Sequence, residues 1–114
     1  MKSKKYLHGQ TRFAFEFRNN SFDHLYMYNL FKKNRWVSVT WHSPIGWHVK
    51  PKFESDTLYL RLHGTQGLYH GSYQDKMAEI TDLAKNFKNS FIYFNNVDRG
   101  IEAICDAKRL QSLL

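Results

Sequence analysis

The pattern of apolar and polar positions picks out three strands that run into chemically capable side chains. They are Phe13-Ala-Phe-Glu-Phe-Arg18, Leu58-Tyr-Leu-Arg-Leu-His-Gly64 and Phe91-Ile-Tyr-Phe-Asn-Asn96. Alternation puts Phe13, Phe15 and Phe17 on one face of the first and Ala14, Glu16 and Arg18 on the other. In the same way Leu58, Leu60 and Leu62 face away from Tyr59, Arg61 and His63. A further alternating run, Trp36 to Trp41, sets Val37, Val39 and Trp41 opposite Trp36, Ser38 and Thr40. Helical periodicity fills the gaps between strands. Ser21 or Asp23 can cap a helix to about Asn34 with Met27, Tyr28 and Phe31 on its apolar stripe. Ser72 with Asp75 caps a helix carrying Met77, Ile80, Leu83, Ala84 and Phe87. Asp98 caps a closing helix that buries Ala103, Ala107, Leu110 and Leu114. His42 to Ser55, broken by Pro44, Gly46 and Pro51, reads as irregular.

The resulting order, β-α-β-loop-β-α-β-α, predicts an α/β fold with a parallel sheet and right-handed crossovers. A doubly wound sheet buries both faces and is apolar on both. Here the second faces hold Glu16 and Arg18, then Ser38 and Thr40, then Tyr59, Arg61 and His63. Two architectures tolerate that pattern: a two-layer sheet open to water, or barrel strands whose polar face lines a lumen. Ligands of parallel α/β proteins bind at the C-terminal strand ends, which is where these polar residues gather.

Composition narrows the setting. The chain has 114 residues with nine Phe, seven Tyr and three Trp, enough for one domain with a core and against intrinsic disorder. Residues 1–11 read as a frayed basic tail and 12–114 as the domain. Cys105 stands alone, which excludes an intrachain disulfide and fits a reducing compartment. No apolar run follows the basic start, and none approaches a membrane span, so a cytoplasmic protein with no membrane partner is expected. The net charge of +7 admits an anionic partner, although Lys32, Lys33 and Arg35 at a helix end are ordinary dipole complements.

Glu16-Phe-Arg18 with Ser21-Phe22, then Tyr59-Leu-Arg-Leu-His-Gly64, then Tyr93-Phe-Asn-Asn96 with Gly100 and Ala107, resembles the YecE-like family (domain of unknown function 72). Phe22 stands where that family usually has Trp. The resemblance runs from about Arg12 to Leu114 and covers only the family's C-terminal half. It implies half of a TIM-type (β/α)8 barrel, with four parallel strands and helices on one side. A truncated or split chain, a homodimer, or a separate N-terminal half completing the barrel would each account for the missing strands.

The candidate chemistry lies on the polar strand faces. Glu16 and His63 are the candidate catalytic acid and base, and Arg18 and Arg61 the anion-binding pair. Asn95 and Asn96 can hydrogen-bond a ligand, and Tyr69 and Tyr73 can form an aromatic wall or pack locally. No cofactor is expected. Six histidines show no zinc spacing, and a metal site could be assembled only in space, from Glu16, His42 and His63. Trp41 and Trp36 read as packing residues and Trp47 as an exposed one. The expected function is binding, with hydrolysis as the reaction considered, of an anionic or sugar-like small molecule. The alternatives are a basic nucleic-acid-binding protein or a half-barrel without activity.

Overall fold

A computed structural model describes residues 11–48 and 55–114; the basic segment 1–10 and residues 49–54 lie outside the described residues. Among the described residues six strands and three α-helices follow one another as β1 (Ala14–Phe15), α1 (Leu25–Asn34), β2 (Val37–Ser38), β3 (Thr40–Ser43), β4 (Gly46–His48), β5 (Thr57–Leu62), α2 (Met77–Lys85), β6 (Asn89–Phe94) and α3 (Ile101–Leu113). They form a mixed α/β fold with two sheets, β1-β2 and β4-β3-β5-β6. All pairs are parallel except the β3–β4 hairpin.

Four parallel strands in a single sheet are therefore not what is observed. Among the described residues β1 pairs only with β2, and the second sheet is mixed. From His42 to His48 the stretch is not irregular: β3 continues to Ser43, turns through Pro44 and Ile45, and returns as β4 from Gly46; residues 49–54 of the expected irregular stretch lie outside the described residues. Gly46 makes the turn with φ of +117°, a conformation that costs a residue with a Cβ more than glycine.

The core lies between the second sheet and its helices. Leu58, Leu60 and Leu62 pack against Tyr73, Met77, Ile80, Ala84 and Leu110, with Leu83 and Phe87 at the margin. A smaller cluster places Phe31 of α1 against Phe17, Met27 and Trp36, and the Phe15 ring lies 5.6 Å from that of Phe31.

The helix ends differ from expectation. α1 starts after His24 with no side-chain cap, because Asn19 caps a short 3-10 turn at Asn20–Phe22 and Asp23 accepts from the Tyr28 hydroxyl. Ser72 accepts from Gln74 N–H at the start of a 3-10 turn ahead of α2, but neither that turn nor α2 has a side-chain cap at its N-cap residue, Tyr73 and Lys76 respectively. α3 starts at Ile101 with Gly100, not Asp98, at its N-cap, and the buried side of this helix holds Ala103, Asp106 and Leu110 while Ala107 and Leu114 face water.

Candidate functional site

Strand register decides which side chains meet. Trp41 lies opposite Arg61, and Arg61 opposite Tyr93, so these three share one face. Leu62 is flanked by His42 and Phe94 on the other face, under the helices. The face expected for the second strand is thus reversed. Ser38, Thr40 and His42 are buried on the helix side, and Trp41 stands with Arg61. The reversal has a visible cost, since the Ser38 and Thr40 hydroxyls have no hydrogen-bond partner among the described residues.

Glu16, two residues beyond Ala14 on the same face, reaches this row. Its carboxylate accepts from Arg61 at 3.2 Å, pairs with Arg18 at 3.0 Å and lies 3.5 Å from His63 Nε2. The Glu16 side chain is only 11% exposed, whereas that of Arg18 is 67% exposed. Two guanidiniums around one carboxylate leave the cluster with excess positive charge and spare N–H donors. Trp41 holds the end of β1 in place. Its indole N–H donates to Phe17 C=O at 3.2 Å, the Arg18 guanidinium lies 5.0 Å from its ring centre, and His48 stacks on it at 3.8 Å. His48 is in turn 2.7 Å from the Ser43 hydroxyl.

His63 is buried beside this cluster, and both ring nitrogens lack a hydrogen bond among the described residues. The 3.5 Å contact with Glu16 is a charge contact outside hydrogen-bond geometry. Burial lowers the imidazole below its ordinary value, and the neighbouring Glu16 charge only partly opposes this. The loop from Gly64 to Gly71 closes over the ring. Gly64 and Gly71 take φ of +136° and +103°, and Tyr69 takes +63°, setting its ring 6.1 Å from His63.

His42 is also held neutral by burial. Both imidazoles therefore bind fewer protons folded than unfolded just below the ordinary value of 6.5. Where the unfolded chain binds more protons, stability rises with pH. Stability should thus be constant above about pH 7 and fall as the pH drops through 6.5 and below. Urea midpoints measured from pH 7.5 to 5 check this, and replacing His42 by Asn should flatten the slope.

Several expected residues lie elsewhere. Tyr73 is fully buried in the core and forms no aromatic wall at the cluster. Its hydroxyl lies 2.9 Å from His42 Nδ1, accepts from Gly64 N–H at 2.8 Å and donates to Gly64 C=O at 3.0 Å, and burial raises its pKa strongly. Asn96 is fully buried, and its amide donates to Gly71 C=O and to Asp106. Asn95 continues the ladder, its N–H donating to Leu62 C=O at 2.8 Å, next to His63 on the adjoining strand. His42 is committed to Tyr73 on the helix side, so Glu16, His42 and His63 do not converge, and no group of three metal-ligating side chains forms among the described residues. Trp47 is half-buried against the core, and its indole N–H donates to Glu79 at 2.6 Å.

The sequence reading missed Asp106. This carboxylate is fully buried and accepts from Ser72, the Tyr73 N–H, Asn96 and Arg109 at 2.8 to 3.1 Å. Its position three residues after Ala103 and four before Leu110 was the available signal, an acidic residue on the apolar stripe of a helix. A groove of about 500 Å³, lined by Arg12, Ala14, Tyr59 and Phe91 among others, runs at the opposite, N-terminal ends of the strands and does not include Glu16.

The whole described chain matches one family. The model for "Protein of unknown function DUF72" covers residues 2–114. The chain belongs to the DUF72 family. A solved DUF72 family protein from Enterococcus faecalis V583 superposes with a TM-score of 0.74 at 18% identity, over 99% of this chain and 50% of that one. A DUF72 family protein from Thermotoga maritima MSB8 gives 0.69 at 20% identity, over 97% and 49%. The chain thus spans about half the length of these solved relatives. No curated protein matches it. Among the described residues no helix is long and apolar enough to cross a membrane.

Proposed function

We propose that this DUF72 chain is one half of a (β/α)8 barrel that binds an anionic or sugar-like small molecule at the C-terminal strand ends. The observation that carries this reading is the contact of one mostly buried carboxylate, Glu16, with Arg18, Arg61 and His63. Arg18 and Arg61 would take the anionic group, since a guanidinium paired on one side still offers donors on the other. Glu16 would accept from a ligand hydroxyl, and Tyr69 and Asn95 would border the ligand at the strand ends. A neutral imidazole beside a carboxylate is also suited to accept and return a proton, which makes hydrolysis the reaction to assay first. Tyr73 and Asn96 would act indirectly, by fixing the loop from Gly64 to Gly71.

Calorimetry with two probes, glucose 6-phosphate and inorganic phosphate, separates these roles. Arg61→Gln should weaken both by about tenfold or more, the loss of one charge-assisted hydrogen bond. Glu16→Gln should weaken glucose 6-phosphate by a similar factor and leave inorganic phosphate unweakened. Its cost to stability should be about 1 kcal/mol or less, since Arg18 and Arg61 keep access to water. Unfolding of Glu16→Gln, with no binding of either probe by the unmodified chain, would make the cluster a structural ion pair.

A further inference from the structure

The β3–β4 hairpin brings a serine and a histidine into direct contact beside the Glu16 cluster. Ser43 pairs with Gly46 across the turn, and His48 pairs with Trp41. Trp41 and Ser43, two residues apart on β3, share a face, so a ring lying over Trp41 can reach Ser43. His48 does so: its Nε2 stands 2.7 Å from Ser43 Oγ. That is the reach of a nucleophile to its general base. The stack on Trp41, with ring planes 12° apart, fixes the imidazole in this orientation. Backbone pairing already closes the hairpin, so the side-chain contact is not needed to hold it.

The surroundings supply what a phosphoryl group requires. Ser43 follows the His42–Leu62 pair, which sets it beside His63 at the C-terminal ends of β3 and β5. His63 meets the Trp41 ring edge-on at 5.4 Å, and the Arg18 guanidinium lies 5.0 Å from the same ring centre. Arg61 is the register partner of Trp41 on β5. Guanidiniums next to a hydroxyl favour attack on an anionic phosphoryl centre over a neutral acyl carbon, because they stabilise the charge on the transferring group. Ser43 is only 7% exposed, but its partner across the turn is a glycine at which an added Cβ would meet nothing within 4 Å. The approach over Gly46 is open.

We propose that Ser43 is a nucleophile activated by His48, and that the pair hydrolyses a phosphate monoester held by Arg18 and Arg61. The tautomer required carries its proton on His48 Nδ1, so that Nε2 accepts from the Ser43 hydroxyl. In the first step Ser43 Oγ bonds to phosphorus as the ester P–O bond breaks. The hydroxyl proton passes to Nε2 and then to the departing alkoxide, which leaves as the alcohol. Water then attacks the phosphoserine, its proton returns through Nε2 to Ser43 Oγ, and inorganic phosphate leaves. Substrate binding rests on the ligand reading above, to which the serine–histidine pair adds the reaction.

The probes are p-nitrophenyl phosphate and, beside it, p-nitrophenyl acetate. The unmodified chain should release p-nitrophenolate from the phosphate ester. Acid-quenched samples should carry one phosphoryl group, on the peptide containing Ser43. Ser43→Ala should abolish both signals and still bind glucose 6-phosphate. His48→Gln should slow the release by about 100-fold or more. Release retained by Ser43→Ala, or a phosphoryl group on another residue, overturns the proposal, and the peptide map decides this even where a variant fails to fold. Turnover of the acetate alone overturns the phosphoryl class. Binding of glucose 6-phosphate with no release from either ester makes the pair a hairpin cross-link and leaves the ligand reading standing. Absence of binding together with absence of release contradicts both.

Discussion

Replacing Gly64 by Ala is expected to destabilise the chain by at least about 3 kcal/mol and to disorder the loop over His63. Gly64 sits at φ of +136°, where any Cβ is strained, and an added Cβ would lie 2.3 Å from Gly67 C=O and 2.6 Å from His70 C=O. Both are backbone atoms of the same tight loop, in which Thr65 and Gln66 N–H donate to that His70 carbonyl. The clash therefore cannot be relieved by turning a side chain. Gly46→Ala is the matched control. Its φ is +117°, but nothing lies within 4 Å of the added Cβ, so only the backbone strain of about 1–2 kcal/mol remains. Urea denaturation of both variants separates strain from overlap. Equal losses would show that the loop around Gly64 relaxes freely.

Asp106→Ala is expected to cost about 3–5 kcal/mol, a large part of the roughly 5–15 kcal/mol that holds a domain together. The carboxylate is fully buried, and its removal strands the Tyr73 N–H and the Asn96 amide in the interior, each worth about 1–3 kcal/mol unpaired. Those two groups tie α3 to the start of α2 and the end of β6, so the loss should lower the urea midpoint without changing the denaturant slope. Arg109→Ala removes a half-exposed partner of the same carboxylate and should cost about 1 kcal/mol or less. A loss for Asp106→Ala no larger than that for Arg109→Ala would mean that water replaces the carboxylate at no cost.

Local pattern reached some parts of this molecule and not others. Leu58, Leu60 and Leu62 against Tyr59, Arg61 and His63 is an unbroken alternation, so β5 and its two faces were legible. Glu16 and Arg18, like Arg61 and His63, are two residues apart on one strand face, which was legible; that the two pairs meet was not, because β1 and β5 are not neighbours and the β2–β3 segment stands between them. The faces of β2 and β3 were not legible, because Val37, Val39 and Trp41 are the apolar set and would be assigned to the helix side by any local rule. Register with β5 overrides that rule and puts Trp41 beside Arg61, leaving small hydroxyls under the helices. The β3–β4 hairpin was hidden because Pro44 and Gly46 signal a break equally well whether the chain wanders or turns back. Asp106 was hidden for another reason. Its partners Ser72 and Asn96 are 34 and 10 residues away, and a single acidic residue in a helix carries no mark of being buried.

Ligand binding by this DUF72 chain is proposed for the face bearing Glu16, Arg61, His63 and Trp41. Titration of the 15N-labelled chain with glucose 6-phosphate, followed by NMR, tests it most directly. Shifts are expected at the Trp41 indole, the His63 ring and the Arg61 and Arg18 side chains, with the Trp47 indole unmoved. Shifts confined to Tyr59, Phe91 and the groove at the opposite strand ends, or no shifts at millimolar probe, would contradict it.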